Sequence, residues 1–122
     1  MDRMPVLYVE DNVVNAQLVA ALFERVPGLR LVVAGSLAEA LEEARDLHPV
    51  LLMLDLRLPD GDGRQLLPQL RAIPGCESAP AVAVTAESDF DLHDSGFAEL
   101  WAKPLDMNLV LRKLDRLANP VH

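Results

Sequence analysis

The chain reads as an α/β protein built on a single open, doubly wound parallel sheet, and three observations predict this. Short apolar runs alternate with amphipathic stretches along its length. One run, Val50–Leu54, is apolar throughout, as a strand buried on both faces should be. Residues with chemistry to offer (Glu10, Asp11, Asp55, Thr85 and Lys103) stand where such runs end rather than scattered through them.

In order, Val6–Val9 is the first predicted strand. Asn12 offers an N-cap to a helix over Val13–Val26, in which Leu18, Leu22 and Val26 step by four, and Pro27-Gly28 stops it. Leu29–Ala34 is the second strand. Ser36, with Glu39 three residues on, makes a capping box for a helix over Leu37–Leu47, which His48-Pro49 closes. Val50–Leu54 is the third strand. Arg64–Ile73 is the third helix, with Pro68 near its first turns removing one N–H, a feature that bends helices. Ala81–Thr85 is the fourth strand and Leu100–Ala102 a very short fifth. Asp106 caps a last helix over Met107–Leu117, and the tail "NPVH" is expected to fray. Strands alternating with helices require right-handed crossovers and a parallel sheet covered on both sides.

The 122 residues are the size of one domain, taken as 1–122, and with 51% apolar residues it can bury a proper core. The net charge of −8 argues against nucleic acid, because no basic stripe is available to release counterions, and against an anionic membrane surface. A metal ion or a cationic partner patch fits it better. Cys76 is the sole cysteine, which excludes an internal disulfide and a thiolate metal cluster and suits a reduced, cytoplasmic setting. The apolar runs fall far short of the ~20 residues of a membrane span, and "MDRMPVLYVED" has no signal-peptide core.

Open parallel sheets hold ligands beyond the carboxyl ends of their strands. Glu10 and Asp11 follow the first strand, Asp55 the third and Lys103-Pro104 the fifth, and Thr85 ends the fourth; the second ends blandly in Ala34-Gly35. Acids gathered on one edge repel, and at least one holds its proton unless a cation relieves it. Mg²⁺ suits a few carboxylates plus a phosphate. Beside it, Asp55 stays ionised and acts as a nucleophile toward phosphorus, giving an aspartyl phosphate. Lys103 supplies positive charge to the phosphoryl oxygens and Thr85 a hydrogen bond. Taken singly, the acids at 10–11 are helix-cap charges, Asp55 a turn residue, Thr85 a β-branched strand residue and Lys103 a surface lysine. Their joint placement at four strand ends is what points to chemistry. Asp60 and Asp62, with Gly61 and Gly63, read as turn residues and a helix entry, not as ligands or a calcium loop. His48, His93 and His122 lack metal spacing and read as surface residues, and Cys76 as a structural thiol. Trp101 is either core or an exposed aromatic on an interaction face.

The ordered set "YVEDN" at 8–12, "LDLRLPDGDG" at 54–63, "VTA" at 84–86 and "AKPLD" at 102–106 resembles the receiver domain of two-component response regulators over essentially the whole chain. The resemblance implies Asp55 as phosphoacceptor, Glu10 and Asp11 as metal-holding acids, and the Arg57 backbone carbonyl as a further ligand of Mg²⁺. It implies Thr85 as a switch hydroxyl, Lys103 as the phosphate-pairing lysine, a flavodoxin-like strand order 2-1-3-4-5 and a cis Lys103-Pro104 peptide. It implies phosphorelay signalling, with a phosphohistidine on a histidine kinase or histidine phosphotransfer protein as donor and an output partner it does not identify. The chain is then a phosphoacceptor assisting its own phosphorylation and dephosphorylation, not an enzyme with external turnover. It is either a stand-alone receiver or one like those at the ends of hybrid histidine kinases, to which "EDN" and "KPLD" are similar.

Two departures from that pattern stand out. The segment from Thr85 to Gly96 is about one turn, roughly 4 residues, shorter than is usual in receivers. Asp89, Asp91, Asp94, Ser88 and Ser95 make a poor helix interior, so the fourth helix is expected to be short, distorted or missing. Leu100 stands where receivers commonly carry an aromatic, often Tyr, so the coupling to Thr85 is either lost or moved to Trp101. Arg57 and Glu87, two residues beyond Asp55 and Thr85, either pair across the site and shield it or both point to solvent. Two other readings compete: an interaction domain of the same fold with atypical or phosphorylation-independent switching, and a Mg²⁺-dependent aspartyl-phosphate phosphatase. The latter usually carry a second acid two residues after the nucleophile, where this chain has Arg57.

Overall fold

The computed structural model describes residues 3–87 and 89–119. In chain order its elements are β1 (Met4–Val9), α1 (Val13–Phe23), β2 (Leu29–Ala34), α2 (Leu37–Ala44), β3 (Leu51–Asp55), a small hairpin of β4 (Arg57–Leu58) and β5 (Gly61–Asp62), α3 (Gly63–Arg71), β6 (Ala81–Thr85), β7 (Glu99–Ala102) and α4 (Met107–Ala118). Five parallel strands form one sheet in the order β2-β1-β3-β6-β7, which is 2-1-3-4-5 when the hairpin is set aside. The expected fold class and strand order both hold.

The period-two alternation of strands divides the core in two. Leu7, Val9, Leu52, Leu54, Ala81 and Ala83 point to one face and pack with Ala40 and Ala44 of α2 and Leu66, Leu67 and Leu70 of α3. Val6, Tyr8, Leu51, Met53, Val82 and Val84 point to the other, under Val19, Leu22 and Phe23 of α1 and Val110 and Leu114 of α4. β3 lies mid-sheet and is buried at all five positions, which is why the four before Asp55 are all apolar. Trp101 belongs to the second core and its indole N–H donates to Glu99 at 3.0 Å, so it is core and not an exposed aromatic. Cys76 is a buried thiol, as expected, and burial raises its pKa.

Several details differ from expectation. α1 ends at Phe23, three residues early, because Arg25 and Val26 bond the carbonyls of Leu22 and Phe23 and tighten the last turn. Its buried stripe is Val19, Leu22 and Phe23, so Leu18 falls outside it and is 51% exposed. α2 ends at Ala44 and not Leu47, because Arg45 is already extended at ψ 126°. α3 begins one residue early, at Gly63, runs through Pro68 and stops at Arg71. β1 and β7 also begin earlier than expected, at Met4 and Glu99, and β3 starts at Leu51 and takes in Asp55. The β4–β5 hairpin was not foreseen, since strands of two residues carry no periodic signal.

No helix forms among the described residues between β6 and β7. Polar side chains capture the backbone there instead: Asp91 accepts the His93 N–H at 2.9 Å, and the Ser95 hydroxyl donates to the Leu92 carbonyl at 2.7 Å while accepting the Phe97 N–H. Asp94 and Gly96 sit at positive φ, 56° and 87°. The expectations for Ser88, His122 and the end of the tail lie outside the described residues; His48 and His93 are exposed. Among the described residues no helix is long and apolar enough to cross a membrane.

Candidate functional site

The strand ends converge as predicted. Glu10 follows β1, Asp55 ends β3, Thr85 ends β6 and Lys103 follows β7, all on one edge of the sheet. With Asp11 and Glu87 they line a cleft of about 640 Å³. Lys103 is the hub: its Nζ lies 2.9 Å from Glu10 Oε1 and 2.7 Å from Asp55 Oδ2. Its backbone N–H donates to the Thr85 carbonyl at 2.9 Å, and the Lys103-Pro104 peptide is cis.

Glu10, Asp55 and Thr85 are 2%, 4% and 3% exposed, so two carboxylates are held almost out of water. Asp55 Oδ1 accepts the Arg57 N–H at 2.9 Å. Glu10 Oε2 accepts the Asn12 N–H at 3.2 Å, and its Oε1 accepts the Tyr8 hydroxyl at 3.0 Å. Burial and the Glu10 charge hold the Asp55 pKa above its ordinary value, although Lys103 and the Arg57 amide pull it down. Burial pushes Glu10 up as well, but Lys103, Asp55 and the Asn12 amide outweigh it and leave Glu10 lowered. Burial works against the Lys103 ammonium, and the two carboxylates more than offset it, so its pKa is raised.

One carboxylate oxygen each from Glu10, Asp11 and Asp55 lie within 4.8 Å of one another. These are hard oxygen donors with excess negative charge, and they fit a hard divalent cation. Thr85 Oγ1 accepts the Glu87 N–H at 3.0 Å, and its own hydrogen has no acceptor among the described residues.

Arg57 and Glu87 do meet, at 3.6 Å between Nε and Oε1, but the Arg57 side chain is 82% exposed and the pair is weak. Glu87 is held more closely by Arg64, 2.6 Å from Nη2, and Arg64 reaches Asp62 through Nη1 at 2.6 Å. The Arg64 guanidinium also lies 5.0 Å over the Phe90 ring, which packs edge-on against Phe97. Leu100, which stands where receivers commonly carry an aromatic, packs on the α2–α3 side of the sheet.

Sequence reasoning missed Tyr8 and Arg64. The signal for Tyr8 was present: residues i and i+2 of a strand share a face, so Tyr8 had to lie beside Glu10. Arg64 left no such signal, since Glu87 is 23 residues away.

An open 2-1-3-4-5 sheet whose carboxyl edge gathers buried acids, a threonine and a lysine is the arrangement that the sequence resemblance to receivers implies. The sequence profile described as the response regulator receiver domain matches residues 6–115, and the chain belongs to that family. It is 31% identical over 118 residues to the signal transduction histidine-protein kinase BarA of Escherichia coli (strain K12), covering 89% of this chain and 13% of that one. It is 36% identical over 81 residues to the polar-differentiation response regulator DivK of Brucella abortus (strain 2308), covering 66% and 65%. The chain thus spans a small part of the kinase and just under two thirds of DivK. Among solved structures, it is similar to the receiver domain of a sensor histidine kinase from Pseudomonas aeruginosa PAO1, with TM-score 0.82, 25% identity and coverage of 97% and 99%. That structure holds a magnesium ion coordinated in its active-site cleft. The non-phosphorylated HemR receiver domain of Leptospira biflexa is similar at TM-score 0.81 and 26% identity, covering 98% of each chain.

Proposed function

We propose that this receiver takes a phosphoryl group onto Asp55 from a phosphohistidine of a histidine kinase or histidine phosphotransfer protein, and that this changes its affinity for an output partner. The observation that carries the reading is the Lys103 ammonium lying within 3 Å of both buried carboxylates, Glu10 and Asp55, at the carboxyl edge of the sheet. An Asp55 oxygen attacks phosphorus, the P–N bond breaks, and its electron pair leaves on the imidazole nitrogen, which takes up a proton. The carboxylates of Glu10, Asp11 and Asp55 and the Arg57 carbonyl are the candidate holders of Mg²⁺. When bound, that ion neutralises the acids and the phosphoryl oxygens.

Each residue has a task that follows from its surroundings. Lys103 already bridges two anions and keeps its charge at neutral pH, so it is ready to pair a phosphoryl oxygen. Asp55 is oriented by the Arg57 amide, which fixes the carboxylate plane. Thr85 has a hydroxyl hydrogen to give. Tyr8 and the Asn12 amide hold Glu10 in place.

For the donor, α1 offers an apolar side beside the cleft. It has no charged residue, and Val13, Val14 and Leu18 are 67%, 62% and 51% exposed. Leu18 and Met107 line a mainly apolar pocket with Lys103 and Pro104. In a chain of net charge −8, that side is where a helical donor meets least repulsion. The chain acts as a phosphoacceptor rather than an enzyme, because Arg57 stands where an aspartyl-phosphate phosphatase carries its second acid. Cytoplasmic kinases are its natural donors, and the reading includes a cytoplasmic location.

The test is mass measurement after incubation with Mg²⁺ and acetyl phosphate. One phosphoryl adduct on the wild type and none on Asp55→Asn is the expected result. No adduct on the wild type overturns the reading in favour of phosphorylation-independent binding, and sustained phosphate release points to a phosphatase.

A further inference from the structure

The turn of the β4–β5 hairpin does more than reverse the chain. Asp60, read from the sequence as a turn residue, accepts the backbone N–H of Leu37 at 2.7 Å and of Ala38 at 3.0 Å, one through each carboxylate oxygen. These are the first two residues of α2. The helix supplies its own caps for the next two amides: Glu39 N–H to the Ser36 hydroxyl at 3.1 Å and Ala40 N–H to the Ser36 carbonyl at 2.9 Å. All four opening amides of α2 therefore have partners, two of them on a residue more than twenty positions downstream. Gly61 follows the same contact: a Cβ there would lie 2.8 Å from the Leu37 side chain, so the hairpin sits tight against α2.

The other end of the hairpin is tied to β3. Gly63 N–H donates to the Leu56 carbonyl at 3.1 Å, and Arg57 N–H donates to Asp55. Arg57 pairs with Asp62 and Leu58 with Gly61, and the hairpin has no longer ladder than that. So short a ladder does not hold a shape alone, and the exposed Arg57 side chain adds no packing.

We propose that Asp60 is a positioning residue for the metal centre: by fastening the hairpin tip to α2 it fixes the backbone at Arg57, whose carbonyl is one of the candidate ligands. This rests on the phosphoacceptor reading. It assigns α2 a part in the site, because α2 becomes the wall against which the hairpin is held.

The experiment titrates Mg²⁺ into the wild type and the Asp60→Ala, Asp60→Asn and Ser36→Ala variants. Affinity is read from metal-dependent amide shifts in NMR spectra, and stability from urea unfolding without metal. Asp60→Ala is expected to weaken Mg²⁺ binding roughly tenfold, as removal of a group that supports ligands does. Asp60→Asn should fall between, since a carboxamide keeps one of the two acceptor oxygens. Ser36→Ala also removes an α2 cap but leaves the hairpin tip in place, so it should lose stability and shift affinity less than about twofold. Wild-type affinity in both Asp60 variants overturns the proposal. So does a Ser36→Ala loss equal to that of Asp60→Ala, which would mean general loosening. A wild type that binds no Mg²⁺ overturns the phosphoacceptor reading itself.

Discussion

Replacing Lys103 by methionine removes the cation from between two buried acids and keeps the length of the side chain. Its ammonium lies 2.9 Å from Glu10 and 2.7 Å from Asp55. At an effective dielectric near 20, each contact is a gross attraction of about 6 kcal/mol. Most of this is offset by the cost of taking three charges out of water, so the gross figure is not what the variant loses. It loses compensation for carboxylates that are only 2% and 4% exposed, which costs about 3–5 kcal/mol. Protonation limits the damage. Asp55 already titrates above its ordinary 3.8, so its contribution to stability is complete below 3.8 and is lost as pH rises through the folded value. Without Lys103 that folded value moves higher, and the penalty grows from acid toward neutral pH. Lys103 titrates above its ordinary 10.5, so in the wild type its stabilisation is fully present at neutral pH and is lost only as pH rises through that raised value. Urea unfolding at about pH 7 and about pH 5, with and without Mg²⁺, reads all of this. The variant should be weakest at neutral pH without metal. A hundredfold excess of Mg²⁺ over its Kd should restore about 2.7 kcal/mol, and Lys103→Arg should lose much less than Lys103→Met. A loss under about 1 kcal/mol, or an equal loss at both pH values with no response to Mg²⁺, would refute the reasoning.

Two further outcomes follow from the surface beside the cleft. Arg64→Ala should free Glu87 and uncover Phe90, so that the Ser95 and Phe97 amides exchange faster with solvent; the global cost should be only about 1 kcal/mol, because half-exposed ion pairs are screened and the ring contact is the larger share. Leu18→Glu should leave acetyl phosphate labelling and stability within about 0.5 kcal/mol of wild type while slowing transfer from a histidine-phosphorylated protein, measured by phosphotransfer kinetics.

The missing helix between β6 and β7 gives the Arg64 contacts their weight. With Ser and Asp side chains occupying the backbone there, the segment is held by Arg64 on Glu87, by Phe90 on Phe97 and by the Thr85–Glu87 hydrogen bond. Thr85 is the proposed phosphoryl-facing hydroxyl, so the segment is joined to the site through a two-residue link. Leu100 packs on the opposite side of the sheet from Trp101, so the neighbouring aromatic does not stand in for it.

What could be read in advance was whatever repeats locally or sits at a strand end. The five sheet strands, the caps Asn12, Ser36 and Asp106, and the convergence of Glu10, Asp11, Asp55, Thr85 and Lys103 all followed from short-range pattern and sheet geometry. Leu18 misled because stepping by four fits more than one face of a helix, and only packing against the sheet selected Val19, Leu22 and Phe23. Asp60 looked like any turn acid because its partners, the amides of Leu37 and Ala38, are brought to it by the crossover from β2 through α2 to β3. By itself the sequence determined the layered fold and which side chains reach the carboxyl edge, since strand alternation and helix caps are interactions between near neighbours. Only the tertiary structure decided which acid meets Lys103, which arginine holds Glu87 and what fastens the hairpin, because those bonds join segments whose approach depends on how the whole sheet is wound.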